Sequence, residues 1–329
     1  MIEDIIVGDS LHLLHLGGMK KLLSMYKDGN MYLQKWTPIT LQELNEILAY
    51  TKLPVEIHRQ MRSLNYLCHW KGTELASFLN YVGIAILKPF LSTEHYEHFL
   101  SLFCANTICS SDHYKAFIPV AKTLFENYVK NYKKFFKCIT SNTHNLIHVA
   151  EEVERFGPLP KNSSYPFENH LYQLKNMVRS GRLPLNQIIN RIHEKELLAQ
   201  KTKPLIFKFP LVVVPFKHDC TKFSCIVIRD GFTLKANHFA DKWFLTNDFK
   251  VASINFATNN HSVYGSQLKY TYKVFEKPLP SDYINVYCTK TIDKFEPEVE
   301  YKLENIFCKL VAVTVRSETT FVPLVHSLP

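Results

Sequence analysis

The hydrophobic positions of this chain change their spacing near residue 204. Before it they recur mostly at helical intervals of three and four; after it they gather in short β-branched and aromatic runs. Ile5-Ile6-Val7 reads as a strand ending at Gly8-Asp9, after which Leu11, Leu14, Met19, Leu22 and Leu23 fall on one face of a helix. Further helices are predicted over 40–50, with Thr40 as cap and Glu43 three residues on, and over 72–87, 92–109 and 114–136. In the last, Lys130, Lys133, Lys134 and Lys137 share a face beside Tyr132, Phe135 and Phe136; this is a solvated edge over a packed core or a second phosphate contact.

A helix over 164–182 follows, with Pro166 suited to the first helical position and Ser163 or Ser164 to the cap. Phe167, Leu171, Leu174 and Val178 recur at i, i+4, i+7 and i+11, which predicts a buried stripe. Leu183-Pro184 ends this helix, another runs over 185–198, and Gln200-Lys201-Thr202-Lys203-Pro204 reads as a linker. Beyond it, runs over 206–214, 224–228, 232–235, 249–256, 268–275, 284–288 and 307–315 predict strands separated by turn residues. The expected fold class is α+β: a helical part over 1–200, then an antiparallel barrel or sandwich over 204–329.

Composition changes this picture little. The 329 residues are 46% hydrophobic and 21% charged, which excludes a disordered chain, and the length suggests two domains. The longest uncharged apolar run, around 82–87, is too short to span a bilayer, and the N-terminus Met-Ile-Glu-Asp has no basic n-region, so a soluble, non-secreted protein with no membrane partner is expected. Eight dispersed cysteines with no C-x2-C pair favour reduced thiols in the cytosol or nucleus. His218, Cys220 and Cys225 are a candidate metal group whose spacing fits no common zinc motif.

Charge says more. The net charge is +9, and the segment 155–208 holds ten Lys/Arg against three acids, a local net of +7. Such a concentration suits a phosphate backbone, a solvated face being the alternative. Within it, Glu168 sits in the first turn of its helix, as a dipole-favoured acid or as a metal-binding carboxylate. His144 and His148, at i and i+4, are spaced to chelate one metal ion or simply to line a polar edge. Asn145 stands where a metalloprotease of the His-Glu-x-x-His type needs its glutamate, which excludes that activity. Asp9 ends a strand with His12 one turn on, and helix capping is its default role.

Taken together, Asp-x2-His-Leu-x2-Leu-Gly over 9–17, the long helical block, His-x3-His with Ala-Glu-Glu-Val-Glu-Arg-Phe-Gly-Pro-Leu over 144–159, Tyr-Pro-Phe-Glu over 165–168 and Leu-Lys-x-Met-Val-Arg-Ser-Gly-Arg-Leu-Pro over 174–184 resemble the CACTA (EnSpm-like) cut-and-paste DNA transposases and their domesticated relatives. The likeness covers about residues 5–195. It implies a ribonuclease H-like nuclease interrupted by a helical insertion, here over about 20–150. Three carboxylates in such enzymes hold two Mg2+ ions that align the attacking oxygen with a DNA phosphate. Glu168 matches the helix-borne glutamate, and His144 and His148 match a pair that completes a structural Zn2+ site.

The departures shape the expectation. The family's two catalytic aspartates and its C-x2-C precede the Asp-x2-His motif, and only eight residues precede Asp9. Asp9 becomes a stand-in carboxylate and His12 a third candidate zinc ligand. The implied protein is a partial ribonuclease H-like domain followed by a β-rich accessory domain: transposon-derived, nuclear, catalytically incomplete alone, and directed to DNA through Lys175, Arg179 and Arg182. Its other implied partners are a second copy or a full-length transposase; the alternative is a domesticated module binding nucleic acid or protein.

Overall fold

Helical periodicity becomes helix across the N-terminal part. The computed structural model describes residues 8–29, 35–137, 139–201, 208–217 and 219–329, so the strand expected at Ile5-Ile6-Val7 lies outside the described residues. Asp9 accepts from the backbone N–H of Leu11 at 3.3 Å and of His12 at 3.0 Å, opening a π-helix over Ser10–Met19 that continues as an α-helix over Lys20–Asp28. Leu11, Leu14, Met19, Leu22 and Leu23 are all buried, as their spacing required. Gly17 permits close packing there: a Cβ would lie 2.7 Å from the His12 carbonyl oxygen and 2.8 Å from Asn142 Nδ2.

The helix expected to start at Thr40 instead spans Pro38–Tyr50. Thr37 Oγ1 accepts from the Thr40 N–H at 3.1 Å, and Pro38 supplies the fixed φ of a first helical turn, so Thr37 is the cap. Helical segments over Gly72–Ser77, Phe78–Val82 and Gly83–Leu87 follow one another, then come Thr93–Cys109 and Ile118–Phe136. No helix among the described residues is long and apolar enough to cross a membrane.

The chain is α+β. Its C-terminal strands are β1 (Leu211–Phe216), β2 (Asp219–Arg229), β3 (Phe232–Lys235), β4 (Trp243–Thr246), β5 (Val251–Thr258), β6 (Val263–Gln267), β7 (Tyr272–Lys273), β8 (Tyr287–Thr289), β9 (Val299–Tyr301), β10 (Ile306–Val315) and β11 (Glu318–Pro323). They form a sheet in the order β1-β2-β5-β4-β10-β11-β8-β7, with β3 beside β2, β6 beside β5 and β9 beside β6. Every one of these pairings is antiparallel.

The antiparallel region is therefore present, but the expected barrel is not: the sheet stays open, with β1 and β7 at opposite ends. The physical reason is that the helical block already covers one face. Trp243, Leu245, Val251, Leu310, Val311, Val313 and Phe321 share one core with Leu22, Leu79, Phe99 and Phe103 of the helices, so the sheet need not close on itself to bury them. A second, smaller core gathers Ile226, Leu234, Phe244, Ile254, Val263 and Tyr301.

By compactness the chain divides into two units, one made of residues up to 162 together with 209–329, the other of 163–208. The smaller unit is a pair of helices, Tyr165–Met177 and Pro184–Lys201. Its first helix ends at Met177 because Val178 turns to extended backbone, short of the expected residue 182. The stripe expected to be buried is not: Phe167 is 73% exposed and Leu171 60%. Two helices alone cannot enclose an apolar face.

Candidate functional site

Glu168 lies in the first turn of the helix Tyr165–Met177, where its N–H donates to the Ser164 carbonyl at 2.9 Å, and its side chain is exposed. Lys175 is in the last turn of that helix, and Arg179 and Arg182 occupy the link to the next one; all three are exposed. The link has a definite shape because Gln187 clasps it. Gln187 Oε1 accepts from the Arg179 N–H at 2.9 Å, while Nε2 donates to the carbonyls of Ser180 at 3.1 Å and Arg182 at 2.6 Å. Two arginines are thus presented on an ordered turn. The unit that carries them has eight Lys/Arg against three acids, a net of +5.

Asp9 uses its carboxylate locally. Besides the two backbone bonds of the helix start, its Oδ2 lies 2.6 Å from His12 Nδ1. His12 is mostly exposed, whereas His15 is buried, and burial lowers its pKa to about 4 against the opposing pull of Asp9. His144 and His148 are exposed, with ring centroids 6.0 Å apart and edge to face. Among the described residues, no group of three or more His, Cys, Asp or Glu side chains is placed to hold a metal ion.

His218 of the candidate His-Cys-Cys group, and Cys138, lie outside the described residues; Cys220 is exposed and Cys225 buried on β2. The seven described cysteines are all free thiols. Burial pushes several up, Cys109 to about 12 and Cys288 to about 11, so these are packing groups and not nucleophiles.

One charged cluster was not anticipated. Lys309, on β10, is fully buried, and its ammonium meets Glu56 Oε2 at 2.7 Å, Asp241 Oδ1 at 2.7 Å and the Thr233 carbonyl at 2.6 Å. Both carboxylates take a second backbone donor, Glu56 from the Thr233 N–H and Asp241 from the Val55 N–H, each at 2.8 Å. Burial works to raise the Asp241 pKa, but the Lys309 charge and these hydrogen bonds outweigh it and hold the carboxyl below its usual range. His238 Nδ1 approaches Asp241 Oδ2 to 2.6 Å, off the line that a hydrogen bond needs. The cluster ties the loop around residue 56 to three parts of the β region. Its one sequence signal was a lysine inside the mostly apolar run of β10.

Residues 207–324 match a family described as a domain of unknown function, DUF8592. The chain matches no curated protein and no solved structure. The match covers the β region and leaves the helical part and the Glu168 helix outside it.

Proposed function

We propose that the chain is a DNA-directed relative of the CACTA transposases that grips phosphate backbones in the nucleus and does not cut DNA by itself. The observation that carries this reading is the basic turn Arg179–Arg182, clasped by Gln187 within a unit of net charge +5. Two arginines on a backbone turn that Gln187 holds, with a lysine one turn earlier, suit backbone phosphates, which need positive charge but no base readout. In this reading the ribonuclease H-like ancestry, with Glu168 as its retained glutamate, is a matter of descent.

Magnesium catalysis fits the donors poorly. Asp9 is engaged by two backbone N–H groups and by His12, and no described group of three candidate ligands stands ready for a metal. Fluorescence anisotropy with a 30-base-pair duplex tests the reading. Binding should weaken steeply with salt, and reversing Lys175, Arg179 and Arg182 to Glu should lower the affinity about a hundredfold and flatten the salt slope by about three phosphate contacts. Unchanged binding in the triple variant would reduce the basic segment to a solvated face, and Mg2+-dependent nicking lost in Glu168→Ala would overturn the non-catalytic half.

A further inference from the structure

The β region carries a cavity of about 710 Å³ between the β1–β2 hairpin and β5. Three departures from regular strand geometry converge on it. The β1–β2 register shifts between Pro215 and Phe216, and the β5–β6 register shifts between Ile254 and Phe256, which leaves Asn255 as an extra residue. Val214 adopts φ 62°, a left-handed conformation that β-branched residues avoid, and its carbonyl accepts from Ser224 Oγ at 3.1 Å. Bulges re-aim side chains and recur beside binding sites, and a backbone outlier kept on the wall of a cavity points the same way.

The side chains have a consistent chemistry. Lys222 Nζ lies 4.7 Å over the Phe256 ring, which stacks on Tyr264 at 4.7 Å and 8°. Lys217 is exposed on the same rim, and Phe216 supplies a second aromatic wall. Two amides, Asn237 and Asn255, line the cavity, the latter oriented by donating Nδ2 to Glu298 Oε2 at 2.5 Å. Asp219, the acid among the described lining residues, is already satisfied by the N–H and hydroxyl of Thr221 at 3.0 and 2.5 Å, with Lys222 at 3.7 Å. What remains is aromatic walls, amide edges and two ammonium groups at the mouth. The volume suits a ligand much larger than a lone phosphate.

We propose that this cavity binds a nucleotide, its base between the aromatic walls and the asparagine amides and its phosphate on Lys217 and Lys222. The nucleotide is either free or one unit of a single strand, since both offer a π-face beside a phosphate. The site shares no residue with the basic turn and stands or falls separately from it.

The test is photocrosslinking of the full chain to an eight-nucleotide thymidine strand carrying one 5-iododeoxyuridine, with the modified peptide mapped by mass spectrometry. Crosslinks should fall on the peptides of Phe216 or Phe256 and drop at least about fivefold in Lys217→Glu with Lys222→Glu, the low end for losing a stacked, charge-anchored base. Competition by adenosine monophosphate would identify a free nucleotide as the source; crosslinking that resists it would identify the strand. Crosslinks confined to 163–208, or untouched by the double reversal in a variant with unchanged far-ultraviolet circular dichroism, would overturn the assignment. Phe256→Leu, milder in packing, should give the same loss and serves where the double reversal fails to fold.

Discussion

Replacing Lys309 with methionine keeps the volume of the side chain and removes its charge, so it isolates what the buried ammonium does. In the wild type one cation lies 2.7 Å from each of two carboxylates, both of them almost wholly buried. Removing the partner of a buried charge costs about 3–5 kcal/mol. For a domain of this size that corresponds to a melting point lower by roughly 6–20 °C. The sign of the pH dependence is the sharper check. The depressed Asp241 carboxyl contributes stability that is present above its unfolded pKa of about 3.9 and lost as pH falls through its folded value. Without Lys309, the burial of Asp241 loses its largest opponent and is countered only by the Val55 N–H and His238, so the Asp241 pKa rises, and acidification from pH 8 to 5 should narrow the gap between variant and wild type. His238 also faces Asp241 Oδ2, and His238→Gln in both backgrounds removes its contribution. Urea denaturation at four pH values gives the result. A loss under about 1 kcal/mol that does not vary with pH would refute the claim that these carboxylates depend on Lys309.

Three further outcomes are expected. A Cβ on Gly265 would press against the Ser253 carbonyl oxygen, so Gly265→Ala should cost about 1–3 kcal/mol in urea denaturation; Gly181→Ala, facing open space, is the control. Thr37→Ala should cost about 1 kcal/mol and Thr40→Ala less, since Thr37 carries the cap; equal costs would contradict that assignment. Elemental analysis should find well under one zinc per chain, because His12, His144 and His148 belong to no described group of three ligands, and full occupancy surviving His148→Ala would place a metal site elsewhere.

The sequence was most readable where each element's own residues decide it. β3 runs over the predicted 232–235, and Leu11 to Leu23 are buried on the predicted face. β4, β6, β9 and β11 were missed for identifiable reasons. Trp243–Thr246 is buried at all four positions and shows no alternation, Gly265 interrupts β6, β9 has three residues, and β11 spends two buried threonines before ending in Pro323. Periodicity predicted a buried stripe on the Glu168 helix but could not say what would cover it; Phe167 and Leu171 are exposed and Val178 lies beyond the helix end. For Asp9 the spacing sufficed, since its partners are two and three residues away. Lys309 has partners 253 and 68 residues distant, and no local pattern encodes such a meeting. The cavity at β1 and β5 depends on register shifts, which arise only once strands pair.

The core shared by helices and sheet sets an order of events at the ribosome. The helical block is complete in sequence by residue 162, yet the side chains that cover it, from Trp243 to Phe321, belong to the last third of the chain. At 5–20 residues per second the block waits roughly ten to thirty seconds for them with an apolar face open to water. Such a nascent intermediate needs chaperone cover, and a ribosome stalled near residue 200 would release a product prone to aggregate although every one of its helices has been made. In sequence, 163–208 is an excursion between two segments, 1–162 and 209–329, that belong to one compact unit. A protease that cuts within that excursion should therefore leave two fragments that co-purify, held by the side chains they bury together and no longer by the chain.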